Sequence, residues 1–310
     1  MHRFYRDPTN GTWLLFSYKE AKLSLKPFYF SVDLEDFTYN LLRVLGHETE
    51  TNFNALDLSY EVIRSFSKQK LDNKKITFFT TGILAKEYPE LVQRIHSDGH
   101  EIACHYHFHD LMFLEDNSTI ENNLVLAKEA IYKACGEEPK GFRAPVFSIP
   151  ERRKDIFKVI ERHFDYDSSY VIDLSKRNFD DYKNEPPFNL TKLKEFPIVP
   201  KKIPLINFSV KSGGTFLRLF TKRNILRVME FNYQLGFIPM VYLHPYDYLV
   251  NREFWVPFKN FKSVGTLPAY IKYFRQSQWL MLGNKKVFSK LDYLLKHFDH
   301  QGRMDSLLSS

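Results

Sequence analysis

A parallel α/β sheet, open or closed into a barrel, is the architecture that the sequence predicts. Two observations carry that expectation. From residue 28 onward, compact apolar runs alternate with helix-like segments, an order that calls for parallel strands joined by helical crossovers. Polar and ionisable residues also gather where those runs stop, and in parallel α/β folds the C-terminal strand ends share one rim where active sites are built.

The bulk composition sets the frame. A chain of 310 residues, 44% hydrophobic and 16% aromatic, can bury a large core as one domain with terminal additions. The net charge of +7 comes from 44 Lys+Arg against 37 Asp+Glu. The basic residues are dispersed, which argues against a nucleic-acid arm. Cys104 and Cys135 are the only cysteines, too few for a disulfide framework, and a reducing compartment fits. No signal peptide is visible and no apolar run reaches the length of a transmembrane segment, so a cytoplasmic protein is expected. Oligomeric state is not legible.

Three parts follow in order. Residues 1–26 read as a β-hairpin appendage, with Asp7-Pro8-Thr9-Asn10-Gly11 as its turn. Residues 27–250 hold the sheet. Phe28 to Val32 is a buried strand ending in Asp33-Leu34-Glu35-Asp36, and 54–70 is a helix with apolar residues at Leu56, Leu58, Val62, Ile63 and Phe66. Lys75 to Thr80 is the next strand, stopped by Gly82. A helix follows Tyr88-Pro89 and closes at Gly99. Ser118-Thr119-Ile120-Glu121 reads as a capping box opening a helix to Ala134. Gly141 to Pro145 is a short strand, 151–163 a helix, and 165–170 a strand. A polar loop runs from Asp173 to Glu195, two short strands lie between Phe196 and Val210, and a helix covers 216–235. Phe237 to Leu243 is the last buried strand, ending in His244-Pro245-Tyr246-Asp247. Residues 251–310 read as a mainly helical extension packed on the sheet.

The densest polar stretch is Gly99 to Asp110, with four histidines. If it is extended, His105, His107 and His109 share a face. If it turns helical after Cys104, His105 and His109 stand one turn apart. Either geometry presents two imidazoles to one metal ion. With one carboxylate, two imidazoles leave positions open for water and substrate. A further carboxylate beside the water could take its proton, and a histidine opposite could protonate a leaving group. The Asp33 to Asp36 cluster has a plainer reading as a helix N-cap. His100 and His107 read as scaffold.

The order of these segments resembles the polysaccharide deacetylase (NodB-homology) family, in the branch associated with bacterial surface-polysaccharide loci. Phe30-Ser31-Val32-Asp33-Leu34-Glu35-Asp36 is similar to its first motif, and Gly99 to His109 to its second, a histidine pair three residues apart. Phe142-Arg143-Ala144-Pro145 resembles the third, and Val241-Tyr242-Leu243-His244-Pro245 the last. The resemblance covers about residues 28–250 and implies a distorted, possibly incomplete (β/α) barrel.

It also implies a chemistry. Asp33 would be the general base, His105 and His109 the metal ligands, Arg143 the partner that orients the base, and His244 the general acid. In the family's commonest form two aspartates are adjacent, and here Leu34 holds the second place. The carboxylate ligand therefore falls to Asp36, which the family's aspartate favours, or to Glu35. Val146 offers a backbone N–H for an oxyanion, and Asp167 joins it on the substrate side. The implied cofactor is a divalent ion, zinc, with cobalt or nickel as alternatives. The implied substrate is an N-acetylated sugar, in a glycan or on a lipid- or nucleotide-linked precursor. Rival readings are hydrolysis of a small cyclic amide and a non-catalytic carbohydrate-binding relative.

Overall fold

The computed structural model describes residues 2–6, 13–17, 25–172, 174, 190–203, 208–250 and 252–308. Strands β1 (His2–Arg6) and β2 (Trp13–Ser17) pair antiparallel, with His2 opposite Ser17 and Arg6 opposite Trp13. The Asp7 to Gly11 turn lies outside the described residues, as does most of the polar 173–195 loop.

Seven strands follow one another side by side in the main sheet, all parallel. They are β3 (Lys26–Leu34), β4 (Thr77–Thr80), β5 (Glu101–Cys104), β6 (Gly141–Phe142), β7 (Tyr166–Asp167), β8 (Lys194–Glu195) and, beyond the antiparallel pair β9 (Lys201–Ile203) and β10 (Phe208–Val210), β11 (Met240–Leu243). Their order is β11-β3-β4-β5-β6-β7-β8. No pairing joins β8 to β11 among the described residues, so the expected distorted (β/α) barrel forms and stays incomplete. β8 was not foreseen, because a two-residue strand has no periodicity to read.

Helices α1 (Phe37–Val44), α2 (Phe53–Lys70), α3 (Gly82–Glu87), α4 (Pro89–Ser97), α5 (Asn117–Cys135) and α6 (Asp155–Ile160) fill the crossovers. α2 turns Ala55, Leu56, Tyr60, Ile63 and Phe66 inward at helical spacing, all buried in the principal core with Phe30, Val32 and Phe78. The cap of α5 is Asp116, which accepts from the Thr119 N–H at 2.8 Å, two residues ahead of the expected box. The helix expected at 216–235 is two, α7 (Gly214–Leu219) and α8 (Lys222–Gln234), because the Thr221 hydroxyl caps a new start. α9 (Pro245–Tyr248), α10 (Thr266–Met281) and α11 (Val287–Leu295) complete the set.

Gly82 does not stop β4 in the expected way. It begins α3, and its role is close approach. A Cβ there would lie 2.6 Å from the Ala127 Cα and 2.6 Å from His107 Nδ1. Its N–H donates to the Tyr106 carbonyl at 2.8 Å, pinning the histidine segment. Gly82→Ala is expected to lower stability by about 1–3 kcal/mol through overpacking, read as a shift in denaturant midpoint without a change in m.

The far end of the barrel is sealed by the C-terminal segment. β12 (Phe298–His300), a strand not anticipated, pairs parallel with the start of β3. The Phe30 N–H donates to His300 Nδ1 at 3.2 Å, so Nε2 carries the proton that reaches the Lys75 carbonyl at 2.9 Å. The Met304 and Asp305 N–H groups then bond Thr77 Oγ1 (2.8 Å) and Glu101 Oε2 (3.1 Å).

Candidate active site

Asp33 stands at the C-terminal end of β3, 2% exposed. Buried carboxylates need partners, and Arg143 supplies one from just past β6. Its Nη1 donates to Asp33 Oδ1 at 2.6 Å and to Ser31 Oγ at 2.8 Å, while Nη2 reaches Ser168 Oγ at 3.1 Å. The guanidinium lies 3.9 Å from the Phe79 ring centroid. Arg143 is thus wholly buried and rigidly held, and it aims one charge at one oxygen of Asp33.

The histidine segment is neither strand nor helix. It is an irregular turn after β5 in which Tyr106 takes φ +68. The turn still brings the two rings together, with His105 and His109 centroids 5.3 Å apart. His105 Nδ1 donates to the Arg143 carbonyl at 2.7 Å, since a carbonyl can only accept. Burial holds this imidazole neutral, its pKa lowered to about 4. Its Nε2 therefore presents a lone pair, and that buried atom has no partner among the described residues. His109 Nε2 lies 2.9 Å from Glu35 Oε2. Arg43 of α1 grips the neighbouring Asp110 through both guanidinium nitrogens, at 2.5 and 2.8 Å, and so fixes the end of the segment.

Glu35 and Asp36 have different tasks. Both Asp36 oxygens are committed: Oδ1 accepts from the Thr38 and Tyr39 N–H groups (2.8 and 3.1 Å) and Oδ2 from the Asn52 N–H (2.6 Å). It is the N-cap of α1 and a tie to the start of α2. Glu35 faces the histidines. Burial would raise its pKa, but His109, His244 and His105 outweigh that and hold it at about 2. Asn40 Nδ2 steadies Oε2 at 2.7 Å.

His244 enters from the end of β11. Its Nε2 is 3.8 Å from Asp33 Oδ2 and 3.9 Å from Glu35 Oε1. Its Nδ1 bonds Asp247 Oδ2 at 2.7 Å, and Arg218 Nε donates to Asp247 Oδ1 at 2.6 Å. Burial opposes its protonation, yet Asp247, Glu35 and Asp33 raise the pKa to about 9. The ring stacks on Tyr246 at 4.9 Å. Asp247 and Arg218 were not singled out from sequence. Asp247 sat within the quoted segment, but Arg218 lies 26 residues earlier on α7 and carried no signal.

Val146 adopts φ +56 and Phe147 φ +55, left-handed conformations that cost a β-branched residue strain. The Val146 N–H has no hydrogen-bond partner among the described residues. Asp167 stands behind this turn, fully buried, with its oxygens on the Ser169 N–H (2.8 Å) and hydroxyl (2.6 Å). Ser169 Oγ in turn accepts from the Ala144 N–H at 2.7 Å, so Asp167 shapes the turn from within the protein. His100 accepts from the Ile76 N–H at 3.0 Å, and His107 packs beside Gly82.

The donor set suits a divalent ion. It combines two imidazoles, one with an orphaned lone pair and a fixed second nitrogen, and a carboxylate held ionised. Among the described residues no three such side chains surround one point at ligation distance, and His109 bonds Glu35 directly instead.

The family profile described as Polysaccharide deacetylase matches residues 60–162, a stretch that includes both histidines and Arg143. Over that third of its length the chain is similar to the polysaccharide deacetylase family. It is 31% identical over 86 residues to a peptidoglycan-N-acetylglucosamine deacetylase of Bacillus cereus, covering 28% of this chain and 31% of that protein. Over 59 residues it is 37% identical to a chitooligosaccharide deacetylase of Rhizobium leguminosarum bv. trifolii, covering 19% and 27% respectively. The chain spans about a third of the length of the curated relatives it matches. A family 4 carbohydrate esterase from Streptomyces lividans, solved with acetate, aligns over 89% of this chain and 93% of its own, with 13% identity and a TM-score of 0.41. No helix among the described residues is long and apolar enough to cross a membrane.

Proposed function

We propose that this protein is a metal-dependent hydrolase that removes the N-acetyl group from an N-acetylated sugar in a glycan or in its lipid- or nucleotide-linked precursor. The observation that carries the reading is the pairing across one small space of Asp33, held by Arg143, with His244, held protonated by Asp247. A base and an acid 3.8 Å apart suit addition of water to an amide followed by expulsion of an amine.

His105, His109 and Glu35 would hold the ion, zinc by the chemistry of two nitrogens and one oxygen. When bound, such an ion polarises the acetamide carbonyl and acidifies a water. Asp33 takes the proton of the attacking water, and Arg143 keeps the carboxylate oriented. The Val146 N–H is available to the oxyanion. His244 then delivers its Nε2 proton to the departing amine, and Arg218 and Asp247 keep the ring in place. Asp36 and Asp167 serve the scaffold.

The precursor form of the substrate is supported by a groove of about 850 Å³ that begins at Val146 and Phe147. Lys211, Lys202 and Arg152 give it positive charge, and Phe113, Phe208 and Phe231 give it apolar wall, a mixture suited to an anionic carrier. A role in surface-polysaccharide synthesis on the cytoplasmic side fits two cysteines that remain free.

Acetate release from N-acetylated sugars, chitooligosaccharides and nucleotide-linked N-acetyl sugars tests the proposal. Release is expected on at least one of them, abolished by chelator and restored by Zn²⁺ or Co²⁺. Undiminished release in chelator removes the metal from the mechanism.

A further inference from the structure

The surface of α10 and its flanks is the most unusual outside the active site. Ala269, Gln276 and Leu280 face the protein, and Gln276 clamps the Val256 backbone through its Oε1 (3.0 Å) and Nε2 (2.9 Å). The opposite face is apolar. Leu267, Tyr270, Ile271, Phe274 and Met281 recur at helical spacing and continue into Leu282. Leu267 is 69% exposed and Phe274 66%. Single exposed apolar residues are ordinary, but a contiguous stripe marks an interaction surface.

Charge says what covers it. From residue 254 to 291 the sequence has no Asp or Glu. Exposed Lys259, Lys262, Lys272, Arg275, Lys285 and Lys286 lie within or beside the stripe in sequence, and none forms an ion pair among the described residues. A protein partner would be met by charges of both signs. An apolar, aromatic-rich helix face whose own segment carries charges of one sign, all positive, matches an anionic lipid surface. The helix also adjoins the active-site rim, since Trp279 packs on Phe37 (5.8 Å), Phe37 on Tyr246 (5.1 Å) and Tyr246 on His244 (4.9 Å).

We propose that α10 lies in the headgroup layer of an anionic membrane, with Leu267, Tyr270, Ile271, Phe274, Met281 and Leu282 inserted and the lysines and arginine of that segment on lipid phosphates. The site is independent of the proposed chemistry, and its test needs no turnover.

Vesicle co-sedimentation of the full chain decides it, using phosphatidylcholine with and without phosphatidylglycerol. Binding to the mixed vesicles is expected to exceed binding to phosphatidylcholine alone by about tenfold or more. Ile271→Glu with Phe274→Glu is expected to remove at least nine-tenths of it while leaving Tm unchanged. Lys272→Glu with Arg275→Glu, which keeps the apolar stripe, is expected to erase the preference for phosphatidylglycerol. Failure to bind mixed vesicles, or equal binding by the Ile271→Glu/Phe274→Glu protein, overturns the proposal. So does a lipid-free dimer in sedimentation velocity that this double variant converts to monomer, which would assign the stripe to a second copy of the chain.

Discussion

Asp33→Asn is expected to lower acetate release by about 10²–10⁴-fold, the range for loss of a positioned general base. The amide keeps an oxygen near the place where Oδ1 accepts from Arg143 Nη1, so the barrel should still close. Arg143 nevertheless loses its counter-charge while fully buried, and Tm must be measured beside the rate. The ion should stay, because Asp33 is not among the proposed ligands. The signature is therefore a folded, metal-loaded, inactive protein, read by elemental analysis and by single-substrate kinetics. A variant within tenfold of the parent rate removes Asp33 from the role of base.

The second large effect separates neighbours in sequence. Glu35→Ala should abolish both bound metal and activity, since its carboxylate is the one held ionised beside His109. Asp36→Ala should keep both, yet lose about 2 kcal/mol and a few degrees of Tm as three backbone N–H groups lose their acceptor. Metal content and melting temperature, measured on both proteins, move in opposite patterns. If Asp36→Ala is the metal-free one, the ligand is Asp36 and the capping geometry is secondary.

That contrast shows what the sequence could disclose. The segments that end in Asp33, His105, Arg143 and His244 were legible because each polar residue follows a compact buried run, a pattern that local hydrophobicity reports. The different surroundings of Glu35 and Asp36 were half legible. Asp36 precedes Phe37-Thr38-Tyr39, and an aspartate before a helix is a cap, but the competing motif resemblance favoured an aspartate as ligand. The histidine segment left two regular geometries open, and the structure takes neither. Its turn depends on Tyr106 at positive φ and on Gly82, 24 residues upstream, letting His107 approach. Arg218 behind Asp247 and Arg43 behind Asp110 are contacts across 29 and 67 residues. Nothing local marks such residues, because their meaning is created by the fold.

The seal formed by β12 bears on how the chain assembles. β3 pairs at one end with β12, about 270 residues away, and along its upper half with β11 and β4. The strand that carries Asp33 is thus the hinge of the most non-local strand pairing among the described residues. Loop entropy must be spent before that closure is rewarded, so such topologies form late and slowly. During synthesis the β3 edge that β12 will cover waits until residues 298–300 have emerged, an exposed apolar edge that invites off-pathway pairing. Folding yield, more than final stability, is where changes around Phe298 to His300 should be felt.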